Sequence, residues 1–289
     1  MPHFLHLLFQ TACGWSALAY LGALVLSAVA LARHRPRLDH LARAAFAVGV
    51  LVNLGAIAQR WVEFGQPPFR SLYESMVLLG ACLGLLGLVL TRLYRSRPLA
   101  IGMLASSLGA LTFALTRFDP TPTLLPPALR SVWFIPHVVL YFFGYAFLAF
   151  AALTAALHLW TTRAGQSERG GGGPAGAHDF FAMADRALGV GFVLITVALL
   201  IGSIWAQSAW GDYWAWDPKE NWALATWLVY AAYLHLRRLP AWRARRAAWL
   251  PIAGFALLLF TYLGMGLLPT ADESAHVYLE ASAPPPAGG

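Results

Sequence analysis

Apolar residues run along this chain in eight stretches separated by short polar segments, at about 12–32, 41–60, 72–94, 98–116, 133–160, 185–207, 219–238 and 247–268. Crossing a bilayer takes roughly 20 residues of helix, and each stretch is about that long. Runs of this length exclude a membrane β-barrel, whose strands are shorter and alternate in polarity. The pattern predicts an all-α, polytopic membrane protein with about eight transmembrane helices. Small residues recur within the runs, as in LGALVLSAVALA and GACLGLLG, and allow helices to approach closely in lipid.

Composition agrees, since 59% hydrophobic and 11% charged residues is too apolar for a soluble globule. The arginines orient the bundle. Arg33, Arg35, Arg37, Arg43, Arg92, Arg95, Arg97, Arg163, Arg169, Arg186, Arg237, Arg238, Arg243, Arg245 and Arg246 all fall on one side, which is 15 of the 20 basic residues. Arg60, Arg70, Arg117, Arg130 and Lys219 fall on the other. The positive-inside rule makes the first side cytoplasmic and both termini periplasmic. The membrane that this multi-pass protein crosses is either a bacterial inner (plasma) membrane or a thylakoid, and the preference for arginine over lysine leans to the bacterial one. The net charge of +7 is therefore a matter of topology, with membrane lipid as the surroundings and no nucleic acid as partner. The opening MPHFLHLLFQTACGW lacks the basic n-region of a signal peptide, so the first helix is expected to be retained.

The chain divides into helices 1–5 (1–160), a flexible cytoplasmic linker (161–184) containing AGQSERGGGGPAGAH, helices 6–8 with a tryptophan-rich periplasmic segment at 205–227 (185–280), and a disordered tail (281–289). Neither the linker nor the tail can bury a core. Asp217, Pro218 and Glu220 spell an N-cap, a first-turn proline and a capping box at the seventh helix. Ser71 and Glu74 repeat the S-x-x-E pattern at the third. Cys13 and Cys82 lack metal or redox spacing and read as small core filler.

Residues 205–227, WAQSAWGDYWAWDPKENWALATW, hold six of the twelve tryptophans and the single lysine, Lys219. Trp210, Trp214 and Trp216 are expected to form a broad, flat surface for a planar ligand. Lys219 has two possible roles, a surface charge or a partner for an anionic ligand group. Position sorts the nine histidines. His34, His40, His158 and His178 are on or near cytoplasmic loops, where a solvated imidazole needs no special role, and His3 and His6 belong to the outer N-terminus. His137 and His276 emerge on the tryptophan side. Two imidazoles flanking an aromatic platform suit six-coordinate haem iron, and a pair of interfacial histidines bonded to loop backbone fits the same spacing. His235 lies about 24 Å along the helix from Lys219. It either snorkels to the headgroups or serves a second, inner site.

The stretch WGDYWAWDPKENWALATWLVYAAYLH resembles the tryptophan-rich WWD signature of the cytochrome c assembly superfamily, in its system II CcsA/ResC branch. PPFRSLYESM resembles the family's approach to its third helix, and VWFIPHVVLYFFGYAF its histidine helix; the resemblance spans roughly 60–280. It implies a cytochrome c haem lyase/synthase subunit that exports haem and joins it to CxxCH motifs of apocytochrome c, acting with a ResB/CcsB-type membrane partner. Haem b, as bound substrate, would rest on Trp210, Trp214, Trp216, Asp217, Lys219, Glu220 and Trp222. His137 and His276 would hold its iron, and His235 would belong to an inner haem site. No residue is expected to act as a nucleophile. The chain departs from the family's GLHSYG-like ending, and SAHVY matches that element only with TADES inserted before it. The alternative function is a haem-binding export or chaperone protein that hands haem on without thioether chemistry. A secondary transporter or a b-type cytochrome is a further class, disfavoured by the lack of internal repeats and of paired histidines within the bilayer.

Overall fold

The computed structural model describes residues 2–69, 71–118, 131–163, 179–242 and 245–264. Among these, the regular structure is helical: α1 (Pro2–Arg33), α2 (Pro36–Phe64), α3 (Leu72–Tyr94), α4 (Arg97–Arg117), α5 (Phe134–Arg163), α6 (Phe180–Trp210), α7 (Pro218–Leu236) and α8 (Trp249–Leu259). A π-helical turn, Phe260–Gly264, continues α8. The eight helices expected from the apolar runs are present. Six, α1 to α6, are long and apolar enough to cross a membrane; Trp249–Gly264 is apolar but shorter. Large apolar side chains such as Leu18, Leu51, Val89, Val193 and Leu200 are exposed on the outside of the bundle, as suits contact with lipid chains. The chain is a multi-pass membrane protein. Residues 164–178 of the expected linker and the tail at 281–289 lie outside the described residues, and helix occupies 161–163 and 180–184 at the linker's edges.

Two helical groups meet along α3 and α5. In the first, α1 to α4 pack through small residues: a Cβ on Gly84 would sit 2.8 Å from Val50 Cγ2 and 3.0 Å from the Tyr20 hydroxyl, so only glycine lets α3 lie this close to α1 and α2. Cys13 and Cys82 are buried with free thiols, in the role of core filler.

Arg60 is fully buried, although sequence position alone puts it among the outer basic residues. Its Nε donates to Glu74 Oε1 at 3.2 Å, and its guanidinium lies over the rings of Phe9 and Phe64. Ser71 caps α3 by accepting the Glu74 N–H, as the S-x-x-E pattern predicts, while the Glu74 carboxylate is committed to Arg60. The pair fastens the outer end of α2 to the start of α3. At the arginine-rich end, Asp39–Arg97 and Asp185–Arg237 ion pairs tie α2 to α4 and α6 to α7.

His158 differs from expectation. It is half-buried against Phe181, and its Nε2 is shut away without a partner. The start of α6 covers the imidazole, a tertiary contact that position along α5 does not reveal.

Candidate functional site

The second helical group, α5 to α8, surrounds a cleft of about 800 Å³. Its floor comes from α5, where His137, Tyr141 and Tyr145 are spaced one turn apart on one face and all line it. Trp205 and Gly202 of α6, Lys219 and Glu220 of α7, and Thr261 and Tyr262 of the π-helical turn complete the walls, with Tyr213 and Trp214 from the α6–α7 loop. π-Helical turns occur often at functional sites, and this one places the Tyr262 ring 6.0 Å from that of Tyr145.

His137 is oriented from behind. Its Nδ1 lies 2.8 Å from the backbone carbonyl oxygen of Ala198. A carbonyl only accepts, so Nδ1 carries the proton and the lone pair of the neutral ring sits on Nε2. A backbone bond to one ring nitrogen is the usual way a metal-ligating histidine has its tautomer fixed. The imidazole packs 5.5 Å from Trp205 and 4.9 Å from Tyr141. Its Cε1–Nδ1 edge also lies against Gly202, where any Cβ would collide with those two atoms.

The α6–α7 loop is held by its caps. Gly211 ends α6 in the left-handed region, φ 95, with its N–H on the Gln207 carbonyl, a conformation that glycine adopts at least cost. Asp217 Oδ1 accepts the Glu220 N–H at 2.9 Å, and Glu220 Oε2 accepts the N–H groups of Asp217 and Ala215 at 3.2 and 2.8 Å. The predicted capping box is therefore present and reaches two residues further back into the loop. Asn221 Nδ2 donates to the Trp216 carbonyl, and Trp216 itself sits at φ 58.

The tryptophans do not form one flat surface. Trp214 and Trp216 meet edge to face at 84°, Trp210 packs against Trp205 with centroids 4.8 Å apart, and Trp222 packs edge-on to Phe260. Of the expected platform only Trp214 lines the cleft; Trp216 is 67% exposed beyond it. The sharp turn between Gly211 and the cap of α7 rotates successive indoles apart, which residue spacing cannot show. Trp214 Nε1 is a buried donor that finds no acceptor.

Lys219 and Glu220 line the cleft with His137, whereas Asp217 is spent on the cap. His235 is exposed near the far end of α7, its Nδ1 bonded to the Ala231 carbonyl of its own helix, and it takes no part in the cleft. His276 lies outside the described residues. Sequence reasoning missed Gly202, Trp205, Tyr262 and the tyrosine stripe. The H-x₃-Y-x₃-Y spacing of His137, Tyr141 and Tyr145 was a legible signal for the last of these.

A membrane-embedded helical bundle with an aromatic cleft, an oriented imidazole and a lysine is thus the class of protein that fold and site define. Residues 70–271 match the cytochrome C assembly protein family. The chain is 33% identical to the cytochrome c biogenesis protein CcsA of Synechococcus elongatus, covering 83% of this chain and 88% of that protein. It is 31% identical to CcsA of Gloeobacter violaceus, covering 95% and 93%. A solved structure, the cytochrome c heme lyase CcmF, superposes with a TM-score of 0.68 at 21% identity, over 90% of this chain and 47% of that one. The fold is thus shared with about half of that longer protein. The chain belongs to the cytochrome c assembly protein family, in its CcsA branch, and takes part in cytochrome c maturation.

Proposed function

We propose that the chain binds haem b as a substrate in the α5–α8 cleft and presents it for attachment to CxxCH motifs of apocytochrome c, as the haem lyase subunit of a system II synthase. The observation that carries this reading is the cleft-lining His137 imidazole, whose Nδ1 is held on the Ala198 carbonyl, so that the lone pair of the neutral ring sits on Nε2. His276 supplies the second axial nitrogen, and Lys219 with the Trp214 N–H receives the propionates. The ring-lined walls of the cleft, with Tyr141, Tyr145, Trp205, Trp214 and Tyr262, suit the face of a porphyrin. Trp210 and Trp222 support the site from behind, against Trp205 and Phe260, and Asp217 and Glu220 hold the loop that carries Trp214 and Trp216.

Thioether formation needs orientation more than acid or base groups. Each cysteine S–H adds across one vinyl: a C–S and a C–H bond form, the S–H and the π bond break, and no electrons are gained or lost. A ring clamped through iron and propionates turns a bimolecular search into a positioned encounter. The incoming CxxCH histidine then replaces one axial imidazole and carries the product away. The cleft faces the periplasmic side of a bacterial inner membrane with both termini on that side, following the arginine distribution. His235, on the outer surface of α7, serves an inner haem site completed by a ResB/CcsB-type partner.

Co-expression with such a partner and an apocytochrome tests the reading. The wild-type chain is expected to yield haem that stays with the apocytochrome after denaturation, and His137→Ala to yield none. If haem binds and leaves the complex without thioether linkage, the chain is a haem carrier and the lyase reading fails.

A further inference from the structure

The α1–α4 group encloses a second cleft, at the arginine-rich end of the bundle and lined by no residue of α5–α8. Its mouth, about 790 Å³, is bordered by Arg43, Arg95, Ser96 and Arg97, with Asp39 the single acid. Below it an apolar compartment walled by Phe46, Leu88 and Leu104 continues the same space, because Ser27, Arg43, Thr91 and Ala100 line both parts. The result is one groove, cationic at headgroup depth and hydrocarbon-lined further in. Asp39 is already engaged by Arg97, so Arg43, Arg92 and Arg95 leave the groove with an excess of positive charge.

Ser96 points to a ligand. It occupies the N-cap of α4, yet its side chain caps no N–H. The residue is 2% exposed, and its Oγ has no hydrogen-bond partner. A buried hydroxyl left unpaired is costly, and an N-cap position adds unpaired backbone donors and the positive end of the helix dipole. Arg95 precedes it at φ 51, a region where glycine is the default, so the two-residue turn holds an arginine where backbone economy favours none.

We propose that this groove binds an anionic membrane phospholipid, its phosphate between Arg43, Arg95, Arg97 and the Ser96 hydroxyl and one acyl chain along Phe46, Leu88 and Leu104. The groove joins a cluster of arginines at headgroup depth to an apolar trough, and a lipid matches both parts at once. A bound lipid supplies the acceptor that Ser96 Oγ lacks and fills the space between α2 and α3–α4. Haem shares the anionic, amphiphilic chemistry, so competition by haem is one arm of the test.

The test uses the full chain, stripped of lipid in a neutral detergent and titrated with phosphatidylglycerol or phosphatidylcholine under native mass spectrometry. Phosphatidylglycerol is expected to bind at least roughly tenfold more tightly, with an affinity that falls as salt rises. Arg43→Gln with Arg95→Gln is expected to weaken it roughly thirtyfold. Ser96→Ala is expected to weaken it about fivefold without lowering the melting temperature, since its Oγ caps nothing. Equal binding of the two lipids, salt-independent affinity, or undiminished affinity in a folded double variant overturns the proposal. Displacement of phosphatidylglycerol by equimolar haem overturns it too, and assigns the groove to haem. Should the double variant fail to fold, Ser96→Ala and the salt titration decide the matter alone.

Discussion

Gly202→Ala separates the orientation of His137 from its presence. Gly202 lies in the body of α6 with the Cε1–Nδ1 edge of the His137 ring against it, and a Cβ there would overlap Cε1 and Nδ1 while standing 3.5 Å from Nε2. Restoring a van der Waals separation of roughly 3.5 Å requires the imidazole to swing by about 1 Å. That swing breaks the 2.8 Å bond from Nδ1 to the Ala198 carbonyl. The lost bond costs about 1 kcal/mol, and alanine in place of a mid-helix glycine returns about the same, so the melting temperature should stay within about 2 °C of wild type. Haem binding should respond quite differently. Loss of a bond that orients a metal-ligating histidine lowers affinity by roughly 10- to 100-fold. The assay is the haem-to-protein ratio of purified chain, measured beside thermal unfolding. A Gly202→Ala protein that folds normally and retains haem as wild type does would refute the argument that α6 positions the ligand.

Three further outcomes follow from the same contacts. Glu220→Ala removes the acceptor of two loop N–H groups; it should cost about 1–3 kcal/mol of stability and expose the 211–217 loop to limited proteolysis. Arg60→Met alone strands the buried Glu74 carboxylate and should destabilise by about 3–5 kcal/mol, whereas Arg60→Met combined with Glu74→Leu should recover most of that loss. Additive losses in the double variant, read from thermal unfolding, would show that the pair is not coupled. A reporter fused after Gly289 should be active only outside the cytoplasm; cytoplasmic activity would reverse the orientation and move the cleft to the wrong face.

The sequence carried the helices because burial in lipid demands nearly continuous apolar runs, and a loop of charge or glycine interrupts each one. The capping box at Asp217 and Glu220 was equally legible, since it is a local device within four residues. What it could not carry was anything set by packing between helices. The splaying of Trp214 and Trp216 depends on the turn at Gly211 and Trp216. The enclosure of His158 by Phe181 and the burial of Arg60 between Phe9 and Phe64 depend on which helix lies beside which. Gly202 reads as one more small residue in an apolar run until His137 is seen lying on it. His137 was legible as a candidate because a histidine opening a long aromatic helix near a tryptophan loop stands out in the sequence, and it lines the cleft.

The central claim is that His137 Nε2 binds haem iron in the α5–α8 cleft. The most direct measurement is the visible and resonance Raman spectrum of the purified chain and of His137→Ala, with and without added imidazole. The account predicts a six-coordinate, low-spin haem in the wild type. In the variant it predicts a large loss of haem, or a shift to high spin, partly reversed by imidazole filling the open axial position. A His137→Ala protein with unchanged haem content and an unchanged low-spin spectrum would contradict it.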